Sequence, residues 1–506
     1  MTLLGELSLW VALVMAAWSA ALSLAGGGLR RAAFAESGAR GLLAAAAFTA
    51  IAVAGLLAAL ARRDFSLRFV ASYTSADLPL AYAVAALWAG PDGAMLLGAF
   101  LLAACAGLAV RPGRGAEDDG EPWATGTLAT ILFVLLAVAA LGANPYRRMD
   151  TVPPGGLGMP PRLQHPAMLV QPLVLSLGLV ATAVPFAFAI AALVTRRVGE
   201  NRVRAVRRWT VVAWSLLTTG IALGAWWTYD ASAGATLWAW DPPVAASLLP
   251  WLTTGAYLAA GLAHERRGAE RPWIVGLPVA GLPLAAFATG LAAGGIGGES
   301  PVINALGART WFAIVVGMCA LAAGGAARRM RAAVVEGIAS RVGRGRRAGV
   351  ALAIVGVALL AVGVAGFAFR RVQERLVTPG GSVMAPDPWG GTWRFAHRGL
   401  SRFDLPGRRV LALNLAVTRD DIARPNIVIE QREHLDARGV PAYEPVATAG
   451  VVRGLRQDLY VTVHTISLAE EAGLRIAFNP LVSWAWCGAA LVVLGGIVAL
   501  WPRAAA

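Results

Sequence analysis

The chain has 506 residues, 57% of them hydrophobic, and its mean hydropathy is +0.62. A soluble domain has no core large enough to hide so much apolar surface, so the composition excludes a soluble protein and indicates an integral membrane protein. The net charge of +15 comes from arginine, because the sequence contains no lysine. The arginines cluster in short connectors between apolar runs, as the positive-inside rule predicts, and this argues against a nucleic-acid partner.

Apolar runs long enough to cross the hydrocarbon recur along the whole chain. A helix of ~20 residues spans a bilayer. We therefore predict an all-α polytopic membrane protein with about 11 transmembrane helices. The predicted spans cover residues 4–25, 41–61, 79–110 (one span with an outer amphipathic stretch), 124–143, 167–194, 209–228, 246–264, 273–293, 309–326, 348–369 and 481–502.

The placement of arginine predicts the orientation. Arg30, Arg31 and Arg40 put the first connector in the cytoplasm, so the N-terminus is expected outside. Counting spans alternately then puts both arginine-rich loops, at 196–208 and 328–347, on the cytoplasmic side. The predicted location is a bacterial or archaeal cytoplasmic (inner) membrane, crossed many times. The segments expected outside are residues 62–78, 144–166, 229–245, 294–308 and 370–480.

The region before the last span has a different character. Runs such as Val410–Thr418 and Asp458–Leu468 are rich in β-branched residues, alternate in part, and are separated by Gly and Pro. We predict a small extracytoplasmic β-rich domain at 370–480. It would follow a membrane domain at 1–369, with a core at about 80–300, and precede a last helix and short cytoplasmic tail at 481–506.

One external segment is unusually rich in tryptophan. Residues 226–251 read WWTYDASAGATLWAWDPPVAASLLPW and contain five tryptophans. An aromatic belt at the membrane interface is the simpler interpretation, because tryptophan favours that depth. An aromatic belt accounts for one or two tryptophans at each helix end. It accounts less well for five tryptophans in 26 residues that also contain Asp241-Pro242 and Pro250-Trp251.

This segment resembles a known family. WAWDPPVAASLLPWL (238–252) is similar to the WWD signature of CcmF and its relatives, the haem-handling proteins of cytochrome c maturation, and WWTY (226–229) stands where the family has a similar upstream motif. The similarity continues in order along the chain and includes the external region, which favours CcmF over its shorter relatives. The further matching segments are DFSLRFVASYTSADLP (64–79), LWAGPDGAMLL (87–97), NPYRR (144–148), LQHPAM (163–168), PFAFAIAAL (185–193), RQDLYV (456–461) and NPLVSWAW (479–486).

The resemblance implies a haem site at the outer face. Indole rings suit the apolar porphyrin, and arginine can hold a propionate bidentately. Arg147 and Arg148 are candidates for the propionates, although solvated loop charges or contacts with lipid phosphate explain them as well. Gln171 occupies the family's first external ligand position. The other residues expected to hold haem are Trp226, Trp227, Trp238, Trp240, Asp241, Pro242 and Trp251.

The sequence departs from the family at its four haem-ligating histidines. The corresponding positions hold Gln171, Pro301 or a neighbour, Ala259 and Ile354. Glutamine and alanine do not ligate haem iron. His165, on the outer side six residues before Gln171, is a candidate substitute axial ligand; a polar loop residue preceding a proline is the alternative. Met159 and Met168 are weaker ligand candidates.

Three functions remain open. In the first, the chain is a CcmF-like subunit that presents haem for covalent attachment to the Cys-x-x-Cys-His motif of apocytochrome c, beside a haem chaperone and a thiol-reducing partner in the lipid bilayer. In the second, it is a non-catalytic paralogue serving as a membrane scaffold or assembly subunit. In the third, it transports haem or another amphiphile. The sequence indicates no catalytic residue and leaves haem lyase-type activity undecided.

Overall fold

The structure is a computed structural model that describes residues 2–110, 119–152, 155–160, 163–197, 200–232, 236, 247–258, 277–283, 344–367, 369–405, 408–434, 446–467 and 469–500. Helices dominate the first part of the chain and strands the part before the last helix. The helices are α1 (Thr2–Leu29), α2 (Ala32–Arg62), α3 (Arg68–Tyr73), α4 (Leu80–Ala89), α5 (Pro91–Ala109), α6 (Glu121–Ala137, extended by a π-helical turn at Val138–Gly142), α7 (Gln171–Ala181, preceded by a 3₁₀ turn at Pro166–Leu169), α8 (Ala183–Thr195), α9 (Glu200–Ala231), α10 (247–258), α11 (277–283), α12 (Arg344–Phe367) and α13 (Val482–Leu500).

Six helical segments in the described residues are long and apolar enough to cross a membrane. They comprise α1, α2, α5, α6 with its π turn, α7 joined to α8, and α9. The prediction of a mainly helical membrane protein with a β-rich region near its C-terminus is confirmed. The count of about eleven crossings stays a prediction, because residues 309–326, most of the predicted span 273–293 and the end of the predicted span 246–264 lie outside the described residues.

Two helix boundaries differ from the predicted spans. Helix α2 begins at Ala32, well before the predicted start at residue 41, because alanine is a strong helix former and continues the helix past the apolar run. The predicted span 79–110 is interrupted at Gly90, an extended residue followed by Pro91 at the first position of α5. Proline fits a helix start but breaks a helix interior, so α4 and α5 are separate helices.

The long helices share two ends. We call the end that holds residues 29–32, 119–121, 195–197 and 200–202 the arginine end; there Arg197 forms an ion pair with Asp119 at 3.2 Å. We call the opposite end, which holds residues 62–68, 143–152, 155–160, 163–170 and 229–232, the loop end. Its connectors are tied together: the backbone N–H of Arg68 donates to the carbonyl of Arg147 at 2.8 Å, and buried Tyr146 donates to the carbonyl of Ala52.

The nine strands in the part of the chain that the structure describes form two antiparallel sheets whose facing sides make one core. One sheet has the order β1-β9-β8-β7 and the other β2-β3-β4-β5-β6. Their core contains Phe395, Leu415, Val461 and Phe478, all fully or almost fully buried. The strands are β1 (Arg371–Val377), β2 (Ser382–Pro386), β3 (Thr392–Leu405), β4 (Arg408–Arg419), β5 (Ile422–His434), β6 (Val446–Ala447), β7 (Gly450–Val452), β8 (Gln457–Ile466) and β9 (Ala472–Pro480).

Helices α12 and α13 frame this β-rich region and pack on each other through glycines. A side chain at Gly356 or Gly363 on α12 would collide with the backbone of α13, and one at Gly488 on α13 would collide with α12. Small residues let helix backbones approach closely, which is how helices associate where both solvent and side chains are apolar. The pair therefore anchors the β-rich region at the loop end of the bundle.

Candidate functional site at the end of helix α9

The last turns of α9 carry four aromatic or acidic residues close together at the loop end. Trp226, Trp227, Tyr229 and Asp230 fall within five residues, and the helix ends at Ala231. Residues three or four apart share a helix face, so Trp226 shares a face with Tyr229 and Asp230, and Trp227 shares one with Asp230. We call the group formed by His165, Trp226, Trp227 and Asp230 the histidine–tryptophan cluster.

His165 lies between the two tryptophans. Its ring is parallel to that of Trp227, with centroids 5.9 Å apart and planes inclined by 5°, and is tilted by 59° against Trp226 at 5.3 Å. The loop that carries it is held by the 3₁₀ turn that follows, and the Trp88 indole donates to the carbonyl of Met168 at 2.7 Å. The imidazole is therefore fixed against an aromatic surface at the loop end.

Both ring nitrogens of His165 have protein partners. Nδ1 accepts a hydrogen bond from the backbone N–H of Ala167 at 3.1 Å, so Nε2 carries the proton in the neutral ring and donates to Asp230 Oδ2 at 3.0 Å. The side chain of His165 is 16% exposed and that of Asp230 is 28% exposed. His165 can ligate a metal through Nε2 only after that nitrogen leaves Asp230.

Asp230 also joins α9 to the β-rich region. Its Oδ1 accepts hydrogen bonds from the Tyr460 hydroxyl at 3.2 Å and from the Arg453 guanidinium at 3.4 Å. Tyr460 lies on β8 and Arg453 in the turn before it. One carboxylate thus connects the loop of His165, the end of α9 and the β sheet, although the three are far apart in sequence.

Tyr229 forms a second, more deeply buried connection. Its hydroxyl donates to Asp458 at 3.3 Å and accepts from the amide of Asn479 at 3.0 Å, and its ring meets that of Tyr460 edge-on at 4.9 Å. Burial raises the pKa of the Asp458 carboxyl and, on the same strand, that of the Tyr460 hydroxyl. The neutral phenol of Tyr460 is therefore the form that donates to Asp230.

The structure separates Trp251 from the cluster. Its indole donates to Thr218 at 2.8 Å and stacks on Trp214 at 6.0 Å, two to three helical turns along α9 from Trp226. Trp251 lies within α10, which runs antiparallel to α9, so its indole packs between the two helices. The five tryptophans do not all form one surface among the described residues. Trp238, Trp240, Asp241 and Pro242 lie outside the described residues.

The predicted cationic and polar residues have other local partners. Arg147 and Arg148 are exposed in the loop after α6; Arg147 donates to the carbonyl of Leu141 at 3.3 Å, and Arg148 pairs with Leu67 through the backbone. Gln171 is 4% exposed and donates to the carbonyl of Gly220 at 3.3 Å, between α7 and α9. In the described contacts, the cation beside the cluster is Arg453.

Sequence reasoning missed Asp230, Arg453 and Tyr460. Tyr460 lies in RQDLYV (456–461), one of the segments that carried the family resemblance, and Asp230 directly follows WWTY. These two segments are more than 220 residues apart, so their contact could not be read from spacing. The available signal was that both segments belong to the family resemblance, which made contacts between them worth testing.

Comparison with known proteins decides the family. The family model described as cytochrome C assembly protein matches residues 14–295, more than half of the chain. The chain belongs to this family. The match runs from α1 through the histidine–tryptophan cluster and into the part of the chain that follows α11.

Curated members of the cytochrome c assembly family are similar over part of their length. Cytochrome c-type biogenesis protein ccl1 of Rhodobacter capsulatus is 35% identical over 46% of this chain and 36% of its own. NrfE of Haemophilus influenzae is 33% identical over 42% of this chain and 33% of its own, and CcmF of Escherichia coli is 31% identical over 46% and 36%. The chain therefore spans about a third of the length of the curated relatives it matches.

A solved structure shares the whole fold. The chain is similar to a structure of cytochrome c heme lyase CcmF with a TM-score of 0.74, covering 99% of this chain and 98% of that one, at 23% identity. At this identity the likeness concerns the fold. It includes the β-rich region, which the family model does not reach. The family match and the curated CcmF relatives, together with this shared fold, confirm the CcmF resemblance inferred from the sequence.

The described residues fit one part of a haem and not another. The indoles of Trp226 and Trp227 offer an apolar surface for a porphyrin, and Arg453 offers a cation nearby. Iron needs a His, Met, Cys or Tyr donor with a free lone pair. Within the part of the chain that the structure describes, His165 is the histidine at this site, and both of its nitrogens are engaged. The cluster thus suits the porphyrin face and provides no ready iron ligand.

Proposed function

We propose that this chain is a CcmF-like subunit of cytochrome c maturation that holds haem at the loop end for covalent attachment to apocytochrome c. Its membership of the cytochrome c assembly family supports the pathway. The observation that carries the proposal is the position of Trp226 and Trp227, at the end of α9 directly beside the residues on which the β-rich region docks. A protein substrate touching that region would meet the tryptophans.

We further propose that the loop end faces outward and the arginine end faces the cytoplasm of a bacterial or archaeal cell, with about eleven crossings. The connectors at the arginine end contain Arg30, Arg31, Arg196 and Arg197, as the positive-inside rule requires of a cytoplasmic face. The β-rich region then lies outside, where apocytochrome c, a haem chaperone and a thiol-reducing partner would meet it.

The chain's contribution to the reaction is orientation. The cysteine thiols of the apocytochrome add across the haem vinyl groups, so no nucleophile of this chain is needed. Holding two reactants in place lowers the entropic part of the barrier, and a fixed aromatic surface beside a docking domain is suited to that. His165 remains a proposed axial ligand, which requires that Asp230 release Nε2.

A test of this function uses a bacterium that lacks its own CcmF and carries a reporter cytochrome c. We expect the chain to restore covalent haem on the reporter, measured by haem staining of denaturing gels, and the double variant Trp226→Ala, Trp227→Ala to lower it at least tenfold. Trp214→Ala, which changes an indole on the same helix away from the cluster, is the control. Restoration by the double variant at the level of the unchanged chain would contradict the proposal.

A scaffold without haem of its own is the second candidate. It is favoured by the pairing of both His165 nitrogens and by the burial of Gln171 against Gly220. Such a chain would support maturation only alongside a resident CcmF, by holding other subunits. Restored maturation in the host that lacks CcmF would exclude it.

A further inference from the structure

A cavity of about 620 Å³ lies between α9 and α13, beneath the β-rich region. Its wall on α9 extends from Thr219 to Tyr229, and its wall on α13 from Ser483 to Leu494. At 1.5 Å per residue, each wall is about 15 Å long, roughly half the thickness of the hydrocarbon. Both walls begin where the helices reach the loop end, so the cavity runs from the expected membrane surface toward the middle of the bilayer.

The cavity is polar at its outer end and apolar below. Arg453, Asp458, Tyr460 and Ser483 surround the outer end. The indoles of Trp226 and Trp486 line the wall next to them, at the depth where tryptophan is usual in membrane proteins. The deeper wall is built from Leu223, Ala490, Val493 and Leu494. This gradient suits an amphiphile with a polar head and a long apolar tail.

The guanidinium of Arg453 is available to a ligand. Its side chain is 58% exposed, and its contact with Asp230 is long, at 3.4 Å, and uses one nitrogen. A guanidinium has five N–H donors and binds phosphate oxygens bidentately. Asp230 shares its charge with His165 and Tyr460, so it neutralises Arg453 only in part.

Asp458 is the second carboxylate near the outer end, and it repels a bound anion only weakly. The oxygens of Asp458 already accept hydrogen bonds from the N–H of Gly454, from Ser483 and from Tyr229. Burial also raises the pKa of Asp458. An anionic group at Arg453 therefore meets one exposed cation and one hydrogen-bonded, buried carboxyl.

We propose that the cavity binds a membrane phospholipid, with its phosphate on Arg453 and one acyl chain between α9 and α13. The lining residues that the structure describes include no histidine, cysteine or methionine, and the hydroxyls of Tyr229 and Tyr460 are both bonded, so this lining suits a ligand without a metal. Since Arg453 belongs to the β-rich region, the lipid joins that region to the bilayer surface beside the histidine–tryptophan cluster.

The test measures phospholipid retained by the purified full chain. Protein is washed extensively in detergent, and bound phospholipid per chain is quantified by extraction and mass spectrometry. We expect about one phospholipid in the unchanged chain and at least fivefold less in Arg453→Gln, which removes the phosphate partner, and in Ala490→Phe, which fills the wall.

Two matched variants serve as controls. Arg456→Gln removes an exposed arginine three residues further along the same turn, and Ile497→Phe adds bulk on α13 beyond the inner end of the cavity. Both should retain lipid within twofold of the unchanged chain. If Ala490→Phe does not yield monodisperse protein, Ala222→Phe places the same bulk on the opposite wall.

Two results would overturn the inference. Equal phospholipid in the unchanged chain, Arg453→Gln and the filled variant would show that the lipid binds elsewhere. Recovery of an isoprenoid quinone or haem, with no phospholipid, would assign the cavity to a different ligand. Haem attachment to the reporter cytochrome is measured separately, so absence of phospholipid from a chain that still attaches haem would refute this inference and leave the proposed function standing.

Discussion

Asp230→Ala should loosen the β-rich region from the end of α9. The carboxylate accepts three hydrogen bonds, from His165 at 3.0 Å, Tyr460 at 3.2 Å and Arg453 at 3.4 Å. Alanine leaves all three donors without this acceptor. Because the loop of His165, strand β8 and helix α9 meet through the same side chain, the substitution should increase local opening in all three.

The size of the effect follows from burial. A net hydrogen bond contributes about 0.5–1.5 kcal/mol, and ion pairs that are largely exposed contribute little. The side chain of Asp230 is 28% exposed and that of Arg453 is 58% exposed, so most of the loss comes from His165 and Tyr460. The total is about 2 kcal/mol, which corresponds to a roughly 30-fold increase in local opening at about 1.4 kcal/mol per tenfold change.

Hydrogen–deuterium exchange measures this opening directly. We expect the backbone amides of residues 163–170 and 457–462 to exchange roughly 30-fold faster in Asp230→Ala, while those of α1 and α2 are unchanged. Asp77→Ala, which changes an exposed carboxylate at the same end of the bundle, is the control. Exchange within threefold of the unchanged chain would refute the reasoning, because Asp230 would then not hold the β-rich region.

Three further predictions concern stability. Asp387 is 1% exposed and accepts five hydrogen bonds, one of them from Arg419 at 2.9 Å. Asp387→Ala should therefore destabilise the β-rich region by about 3 kcal/mol in thermal unfolding, and an unchanged stability would contradict this. Burial alone would raise the pKa of Asp387, but its hydrogen bonds outweigh burial and leave the pKa below its ordinary 3.8. The stabilisation by Asp387 should therefore be complete above pH 3.8 and fade as the pH falls below it, and Asp387→Asn should lose less stability over that range. Equal acid sensitivity of the unchanged chain and Asp387→Asn would contradict this. Gly363→Leu places a side chain against the backbone of Ala485, so the yield of monodisperse protein should fall about tenfold, whereas the exposed Val362→Leu should be neutral; equal yields would show that α12 and α13 can separate freely.

The helical part of the fold was largely predictable because its determinants are local. An apolar run of bilayer length has few alternatives to a helix, since every backbone group must be paired inside the hydrocarbon. The helix boundaries were harder to predict from the sequence. The start of α2 at Ala32 depends on alanine continuing a helix past the apolar run, and the break at Gly90 depends on the proline that follows it.

The candidate site was predictable only in part. The cluster's tryptophans, Trp226 and Trp227, stood out by composition and by resemblance, and His165 by its place in LQHPAM. The grouping of Trp251 with them was not recovered, because its contact with Thr218 depends on how α10 packs along α9. The contacts of Asp230 with Arg453 and Tyr460 link segments more than 220 residues apart, and no local pattern encodes such a pairing.

The absorption spectrum of the purified chain tests the central claim most directly. The account predicts a Soret band in protein produced with haem available, reduced at least fivefold in the Trp226→Ala, Trp227→Ala variant and unchanged in Trp214→Ala. A chain that takes up no haem under these conditions, or whose band is unchanged in the double variant, would contradict it.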